Sequence, residues 1–163
     1  MLLNASFYSR GTGWQDTSPE ACRRYKHHVV WVAGGVGITP FLGTSISRLP
    51  NSGPTPHLFY CVPSRQNAPA IEMLEAADRE GRVHLHVHAS DEKNRLQPDH
   101  VISAIGGSRL QDAHIVMCGP DSLVKSMKSG LRRHGARHMH VEGFDIRSGV
   151  GPDLSRHLDD VVR

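Results

Sequence analysis

Short apolar runs alternate with amphipathic segments along most of this chain. The apolar runs predict β-strands at 29–33, 57–62, 82–88, 114–118 and 138–144. Between them, apolar residues at helical spacing predict helices at 40–48, 69–79, 98–105 and 120–134. Strands separated by helices indicate parallel pairing with right-handed crossovers. The pattern therefore predicts an α/β fold, a doubly wound parallel sheet with helices on both faces.

The two ends of the chain differ from this central part. Residues 1–28 are rich in Ser, Thr, Gly and Arg and predict an irregular lead-in. Residues 148–163 predict a tail, and their composition leaves open whether it is ordered. Because 163 residues suffice for one domain but are few for two, we place a single domain at 29–147.

Composition argues against several classes of protein. The chain is 38% hydrophobic and 21% charged, and its apolar runs are far shorter than the roughly 20 residues that span a bilayer, so we expect no membrane segment. The N-terminus lacks the features of a signal peptide, which favours a cytoplasmic location. Cys22, Cys61 and Cys118 are too few and scattered for a disulfide framework and are expected to be reduced. A net charge of +3 gives little support for nucleic-acid binding, and we predict none.

A glycine-rich turn follows the first predicted strand. Gly34, Gly35 and Gly37 lack Cβ atoms where backbone N–H groups would approach an anion, and the helix that follows adds the positive end of a dipole. The segment matches neither G-x-G-x-x-G nor the Walker A pattern. It predicts a phosphate-binding loop, with a purely structural turn as the alternative.

Alternating histidines mark the third predicted strand. His84, His86 and His88 would share one face of that strand, which suggests a metal site. The alternative is that Val83, Leu85 and Val87 face the core while the imidazoles cover the other face. We prefer this alternative because neither an acidic partner nor a regular ligand spacing accompanies the histidines. We therefore predict no metal.

Ligands of open parallel sheets bind beyond the carboxyl ends of the strands. The segments that follow the first four predicted strands are Gly34–Pro40, Pro63–Arg65, Ser90–Arg95 and Cys118–Pro120. We expect these segments to line one edge of the sheet, where they would form the ligand site.

Three of the chain's sequence motifs, in this order, resemble the C-terminal, nicotinamide-nucleotide-binding half of the ferredoxin–NADP reductase superfamily. They are Ala33–Phe41, Cys118-Gly119-Pro120 and Glu142–Arg147. The last, together with Tyr60-Cys61-Val62, is most similar to bacterial ferric-reductase-like and NADPH-oxidase-related flavoproteins. The resemblance covers about residues 28–147 and implies a five-stranded parallel sheet with strand order 3-2-1-4-5.

The resemblance also implies which residues hold the nucleotide. Gly34, Gly35 and Gly37 would form the turn that faces the pyrophosphate. The full implied set is Gly34, Gly35, Val36, Gly37, Ile38, Thr39, Pro40, Ser64, Arg65, Ser90, Arg95, Cys118, Gly119 and Pro120.

Four residues are implied at the hydride-transfer site. Cys118 would pack beside the nicotinamide C4 without reacting, and Thr39 would lie near the nicotinamide and the flavin. Glu142 and Phe144 would border the flavin ring, with Phe144 shielding it. A small buried side chain at the end of a strand is the alternative for Cys118, and core packing is the alternative for Phe144.

The segment after the second strand bears on the choice of nucleotide. Ser64 and Arg65 stand where the adenosine ribose should lie, and this segment has no Asp or Glu to accept a hydrogen bond from a free 2′-OH. An Arg can pair with a 2′-phosphate, so NADP is favoured over NAD. A solvated surface side chain is the alternative for Arg65 and, more so, for Arg95.

The family also carries an N-terminal flavin-binding barrel with an R-x-[YF]-[ST] motif. Tyr8-Ser9 has the end of that motif, but Ser6 stands where its Arg should be, and only 28 residues precede Val29. We therefore expect the nucleotide-binding half of a larger flavoprotein, with FAD in the missing half, that does not turn over when isolated.

The implied activity of the parent protein is electron transfer from NAD(P)H through FAD to ferric iron, haem or an iron–sulfur protein. The resemblance is also compatible with a full-length parent protein that is membrane-associated. A stand-alone nucleotide-binding or regulatory module that pairs with a separate flavin subunit is the alternative function. A metal-binding protein that uses the alternating histidines is a third.

Overall fold

The computed structural model describes residues 28–42 and 55–142. Several predictions lie outside these residues: the lead-in before position 28, the tail at 148–163, the helix beyond position 42, and Phe144.

Strands and helices alternate through the described chain. The strands are β1 (Val29–Gly34), β2 (His57–Val62), β3 (His84–Ala89), β4 (His114–Cys118) and β5 (His138–Glu142). The helices are α1 (Thr39–Phe41), α2 (Ile71–Arg79), α3 (Pro98–Ile105) and α4 (Asp121–Arg133), with short 3-10 turns at Gly35–Ile38 and Gly107–Arg109.

All five strands form one parallel sheet in the order β3-β2-β1-β4-β5, which confirms the predicted fold class and strand order. The buried strand β1 lies at the centre, where Ala33 is in register with Cys118 of β4 and Gly34 with Cys61 of β2. The chain passes from β1 to β2 and β3 on one side, and then to β4 and β5 on the other. The order of strands therefore reverses between β1 and β4, the place where such sheets bind ligands.

Two hydrophobic cores cover the two faces of the sheet. On one face, Leu74 and Ala77 of α2 pack with Trp31 and Tyr60. On the other face, the buried stripe of α4 and the buried residues of α3 pack against Val30, Val32 and Met117. The stripe on α4 comprises Val124, Met127 and Leu131 at the helical spacing that predicts it. Helices on both faces confirm the doubly wound arrangement.

Some element boundaries differ from their predictions. The strand predicted at 82–88 is β3, His84–Ala89, because residues 80–82 close α2 through backbone bonds and pairing begins where His84 meets His57. Helix α4 begins at Asp121 and not at Pro120, whose extended backbone places it just before the helix. The Pro120 carbonyl still accepts a hydrogen bond from the Val124 N–H at 3.1 Å.

None of the helices in the described parts of the chain has the length and apolar character that crossing a membrane requires.

Candidate functional site

The loop after β1 presents open backbone to solvent while its far end is anchored in the core. Gly35 has φ +54°, a conformation that favours glycine, and a Cβ at this position would meet no atom within 4 Å. Val36 is 52% exposed, whereas Ile38 and Phe41 are buried. The ring of Phe41 lies 5.6 Å from that of Trp31, centroid to centroid. A ligand can therefore approach the Gly35–Val36 backbone directly.

The hydroxyl of Thr39 closes this loop. Its Oγ1 donates to the Val36 carbonyl at 2.7 Å, and the Thr39 side chain is exposed. Pro40 follows at the start of α1, where a missing N–H costs no helix hydrogen bond. The Thr39 side chain therefore lies on the solvent-exposed side of the loop.

The loops after β1 and β4 are in direct contact. A Cβ at Gly37 would overlap the carbonyl oxygen of Cys118 and lie 2.9 Å from the Gly119 nitrogen. A Cβ at Gly34 would lie 2.6 Å from Cδ of Pro120, and one at Gly119 would lie 2.9 Å from Cα of Gly34. The structure therefore brings the glycine turn and the Cys-Gly-Pro segment together at the point where the strand order reverses.

Cys118 and Glu142 end neighbouring strands in register with each other. Burial, and after it the charge of Glu142, raises the pKa of the Cys118 thiol. Burial also raises the pKa of the half-buried Glu142 carboxyl. At neutral pH the thiol is therefore protonated and suited to packing and not to nucleophilic attack.

The segments after β2 and β3 run side by side. The Ser90 N–H donates to the Val62 carbonyl at 3.0 Å, and the Asp91 N–H donates to the Pro63 carbonyl at 3.1 Å. Ser64 follows Pro63 and is half-buried, while Ser90 is exposed. Ser64 and Ser90 thus belong to adjacent strand ends at the same edge of the sheet.

An acidic residue that the sequence did not predict reaches this edge from α2. Nη2 of Arg65 donates to Oε1 of Glu75 at 2.6 Å. The segment after β2 itself contains no Asp or Glu, as the sequence shows, but the folded chain places the Glu75 carboxylate beside Arg65. No local motif marks Glu75; the only sequence signal is that the helix following β2 must pass back along the sheet.

Arg95 lies apart from these contacts. It follows the turn Ser90–Lys93, which Asn94 closes by donating its backbone N–H to the Ala89 carbonyl at 3.2 Å. The Arg95 side chain is exposed, and no hydrogen bond or ion pair joins it to another residue of the described chain. It therefore remains a basic group at the rim.

The predicted site residues lie in a row along the carboxyl ends of the strands. From β3 to β5 the order is Ser90, then Ser64 and Arg65, then the glycine loop, then Cys118–Pro120, then Glu142. With about 4.8 Å between strands, this edge is about 19 Å long. Such an edge fits an elongated ligand that has an anionic centre.

The alternating histidines of β3 form a row of stacked rings with His57 and Phe59 of the neighbouring strand β2. The His86 ring lies 4.4 Å from that of Phe59, and the His88 ring lies 5.0 Å from that of His100 on α3. His57 Nδ1 and His86 Nε2 are 3.1 Å apart. Within 28–42 and 55–142, no group of three or more His, Cys, Asp or Glu side chains is arranged to hold a metal ion.

Val83, just before β3, is buried, and Leu85 and Val87 on the opposite face of β3 pack against the core as predicted. The face with the imidazoles is also partly covered, since His88 is only 9% exposed.

Comparison with known proteins identifies the family. The model of the oxidoreductase NAD-binding domain matches residues 31–129, which span β1 to α4. This chain belongs to the oxidoreductase NAD-binding domain family. The family corresponds to the C-terminal, nucleotide-binding half of the ferredoxin–NADP reductase superfamily. The family assignment therefore applies to the NAD-binding domain of this chain.

Curated relatives of this NAD-binding domain are reductase or oxygenase components. The carnitine monooxygenase reductase subunit of Escherichia coli (strain K12) is 30% identical over 124 residues, covering 75% of this chain and 36% of that protein. The phenoxybenzoate dioxygenase subunit beta of Ectopseudomonas oleovorans is 32% identical over 117 residues, covering 72% and 34%. The chain spans about a third of the length of these relatives.

Solved structures share the fold of the NAD-binding domain. Phthalate dioxygenase reductase, described as a modular structure for electron transfer from pyridine nucleotides to [2Fe-2S], aligns with a TM-score of 0.56 and 19% identity, covering 86% of this chain and 50% of that chain. A flavohemoglobin from Malassezia yamatoensis with bound FAD and haem aligns with a TM-score of 0.62 and 19% identity, covering 79% and 35%. At this identity the likeness concerns the fold alone.

Proposed function

We propose that residues 29–147 are the nucleotide-binding domain of a flavin-dependent NADPH oxidoreductase. The observation that carries this proposal is the contact between the Gly34–Gly37 turn and the Cys118–Pro120 segment where the strand order reverses. The open backbone at Gly35 fits a pyrophosphate, since nothing would separate it from the peptide groups.

Each strand end has a proposed role along the ligand. Ser64 and Arg65 hold the 2′-phosphate of the adenosine ribose, and the rim residues Ser90 and Arg95 flank them. The backbone of the glycine loop, with Thr39 and Pro40 at its far end, positions the pyrophosphate. Cys118 packs beside the nicotinamide as a protonated, polarizable group that aligns the ring without reacting. Glu142 and, beyond the described residues, Phe144 border the flavin.

When bound, the nicotinamide would supply a hydride, two electrons with one proton, and FAD held elsewhere in the full protein would accept it and could pass electrons on one at a time. The residues of this chain would hold and orient the donor. The proposed final acceptors are an iron–sulfur protein, haem or ferric iron. The oxygenase components among the relatives favour an acceptor that belongs to an oxygenase system.

Calorimetric titration with NADPH, NADH and 2′,5′-ADP tests this proposal. We expect binding of NADPH and 2′,5′-ADP that Arg65→Ala weakens about tenfold, because a charge-assisted bond to the phosphate is lost. Arg109→Ala is the matched control, since this exposed arginine precedes β4 and lies at the opposite, amino-terminal ends of the strands. Absence of binding by all three ligands would contradict the proposal.

A second measurement separates the enzyme from a regulatory module. Hydride transfer to added flavin or to a flavin-binding partner supports the oxidoreductase. Nucleotide binding without any transfer, under conditions where the partner is saturated, supports a module that only senses the nucleotide.

A further inference from the structure

The arginine proposed to bind the 2′-phosphate already has an anionic partner within the chain. Nη2 of Arg65 and Oε1 of Glu75 are 2.6 Å apart, and the two side chains are 51% and 34% exposed. From this contact we infer that Glu75 is a specificity-determining residue: it holds the Arg65 guanidinium and thereby lowers affinity for nucleotides that carry a 2′-phosphate. The inference rests on the proposed nucleotide site.

The fold fixes the backbone on both sides of this ion pair. Glu75 lies in the middle of α2, between Leu74 and Ala77, which are fully buried in the core. Arg65 begins a turn in which its carbonyl accepts from the N–H of the buried Ala68 at 3.2 Å. The hydroxyl of Tyr60 donates to the Pro69 carbonyl at 3.1 Å and ties this turn to the sheet. Arg65 and Glu75 are therefore held within reach of each other before any ligand binds.

Charge determines how the pair acts on the two classes of nucleotide. A 2′-phosphate carries between one and two negative charges, so it must compete with Glu75 for Arg65 and then lies close to a carboxylate. A free 2′-hydroxyl carries no charge and can donate a hydrogen bond to the same carboxylate. Glu75 therefore narrows the preference for NADPH over NADH that Arg65 creates.

Removing the charge of Glu75 should release Arg65. We expect Glu75→Gln to raise the affinity for 2′,5′-ADP about fivefold, the upper end of what an exposed ion pair contributes. The affinity for 5′-ADP, which has a free 2′-hydroxyl, should change less than about twofold because the glutamine amide oxygen can still accept a hydrogen bond from that uncharged group. In an Arg65→Ala background the same substitution should give no gain, since there is no guanidinium to release.

A nearby carboxylate provides the matched control. Glu72 lies one turn earlier on α2 and is exposed. Glu72→Gln removes one negative charge from the neighbourhood without breaking the Arg65 pair. It should change the 2′,5′-ADP affinity less than about twofold, because exposed charges are screened.

The experiment is calorimetric titration of the full chain and its variants with 2′,5′-ADP and 5′-ADP at low and high salt. A gain confined to 2′,5′-ADP, dependent on Arg65 and diminished by salt supports the inference. An equal gain from Glu72→Gln, a similar gain for 5′-ADP, or a gain that persists without Arg65 would overturn it. Thermal unfolding verifies that the variants are folded, and Glu75→Ala provides a second variant with the same expected direction.

The outcome also separates this inference from the proposed function. Should the unmodified chain bind neither ADP ligand, the nucleotide site itself is wrong and the role of Glu75 is rejected with it. Should it bind both ligands with Glu75→Gln unchanged in its selectivity, the site stands and only the role of Glu75 is rejected.

Discussion

Glycines at the carboxyl edge of the sheet serve two different purposes. Gly35 has open space around it, so its value lies in the positive φ of the turn and in access to its backbone. Gly37 is instead enclosed, because a Cβ there would overlap the Cys118 carbonyl oxygen. A side chain at position 37 would push the loops after β1 and β4 apart. It would thereby displace the proposed binding crevice that these loops form.

The substitution Gly37→Ala tests this contact. We expect the free energy of unfolding to fall by about 1–3 kcal/mol, the usual effect of forcing an extra methyl group into a packed site. Nucleotide binding should weaken as well, because the crevice is displaced. Chemical denaturation and calorimetry measure the two effects.

Gly107→Ala is the control for that substitution. Its new Cβ would lie 3.7 Å from Cγ2 of Ile102, an ordinary contact, so stability should change by less than about 0.5 kcal/mol. Equal stability losses for the two variants would show that the contact between the loops is not the cause.

Cys118 illustrates how environment limits a reactive side chain. The thiol is buried at the end of β4, and burial together with the charge of Glu142 raises its pKa. A protonated, buried thiol is a poor nucleophile and a poor target for oxidants. The same properties suit it to pack against a ring, the role proposed for it here.

At the scale of elements, the outer strand β3 and its neighbour β2 carry a stack of imidazole rings. Burial, and after it the charges of His84, His86 and His28, lowers the pKa of His57 to about 4. The pKa values of His86 and His88 are lowered too, mainly by burial, although Asp78 opposes the shift at His86 and Asn94 opposes it at His88. His57, His86 and His88 are therefore neutral in the folded chain at neutral pH.

This row of histidines predicts acid sensitivity. The ordinary pKa of His57 is 6.5, so below that pH the unfolded chain binds a proton that the folded chain takes up only near pH 4. Stability is full above pH 6.5 and falls as the pH is lowered through this window. For His57 we expect a loss of about 1 kcal/mol at pH 5, smaller than the pKa difference alone implies because water screens a half-buried ring.

Urea unfolding at pH 7.5 and pH 5.0 measures this effect. His57→Gln should lose less stability than the unmodified chain between the two values, since one of the disfavoured protonations is removed. His134→Gln, at an exposed histidine beyond α4, serves as the control and should behave like the unmodified chain. An identical pH dependence for His57→Gln would contradict the assignment.

At the scale of the whole molecule, the loops proposed to bind the nucleotide all lie at the carboxyl ends of the strands. The carboxyl ends of the strands carry the glycine loop, Arg65 and the Cys118–Pro120 segment, whereas the opposite edge carries the Gly107–Arg109 turn. Because the strands are parallel, every loop that directly follows a strand lies at the same end of the sheet, regardless of its position in the sequence.

Hydrogen exchange tests this division of the molecule. On addition of NADPH, amides in 34–39, 64–66 and 118–119 should exchange more slowly, because the bound ligand protects them. Amides in 106–110 and 134–137, at the opposite edge, should be unchanged. Protection that is uniform over the chain, or centred on the opposite edge, would contradict the proposed location of the site.

Local patterns in the sequence predicted most of the elements correctly. Strands β2 and β4 and helix α3 match their predicted residues, since short apolar runs and helical spacing are properties of neighbouring residues. Boundaries set by tertiary contacts were less predictable. Strand β3 begins where its partner β2 allows pairing, and α4 begins one residue after Pro120.

The order of the strands came from the resemblance to a family, and the structure agrees with it. The glycine turn, the Cys-Gly-Pro segment and Arg65 could be recognised from their positions after predicted strands. Their contacts could not, because the overlap between Gly37 and Cys118, the ion pair of Arg65 with Glu75 and the stacking of His86 on Phe59 join residues from different elements. Periodicity and local chemistry are encoded in adjacent residues, whereas these contacts depend on register and packing, which exist only once the whole sheet has formed.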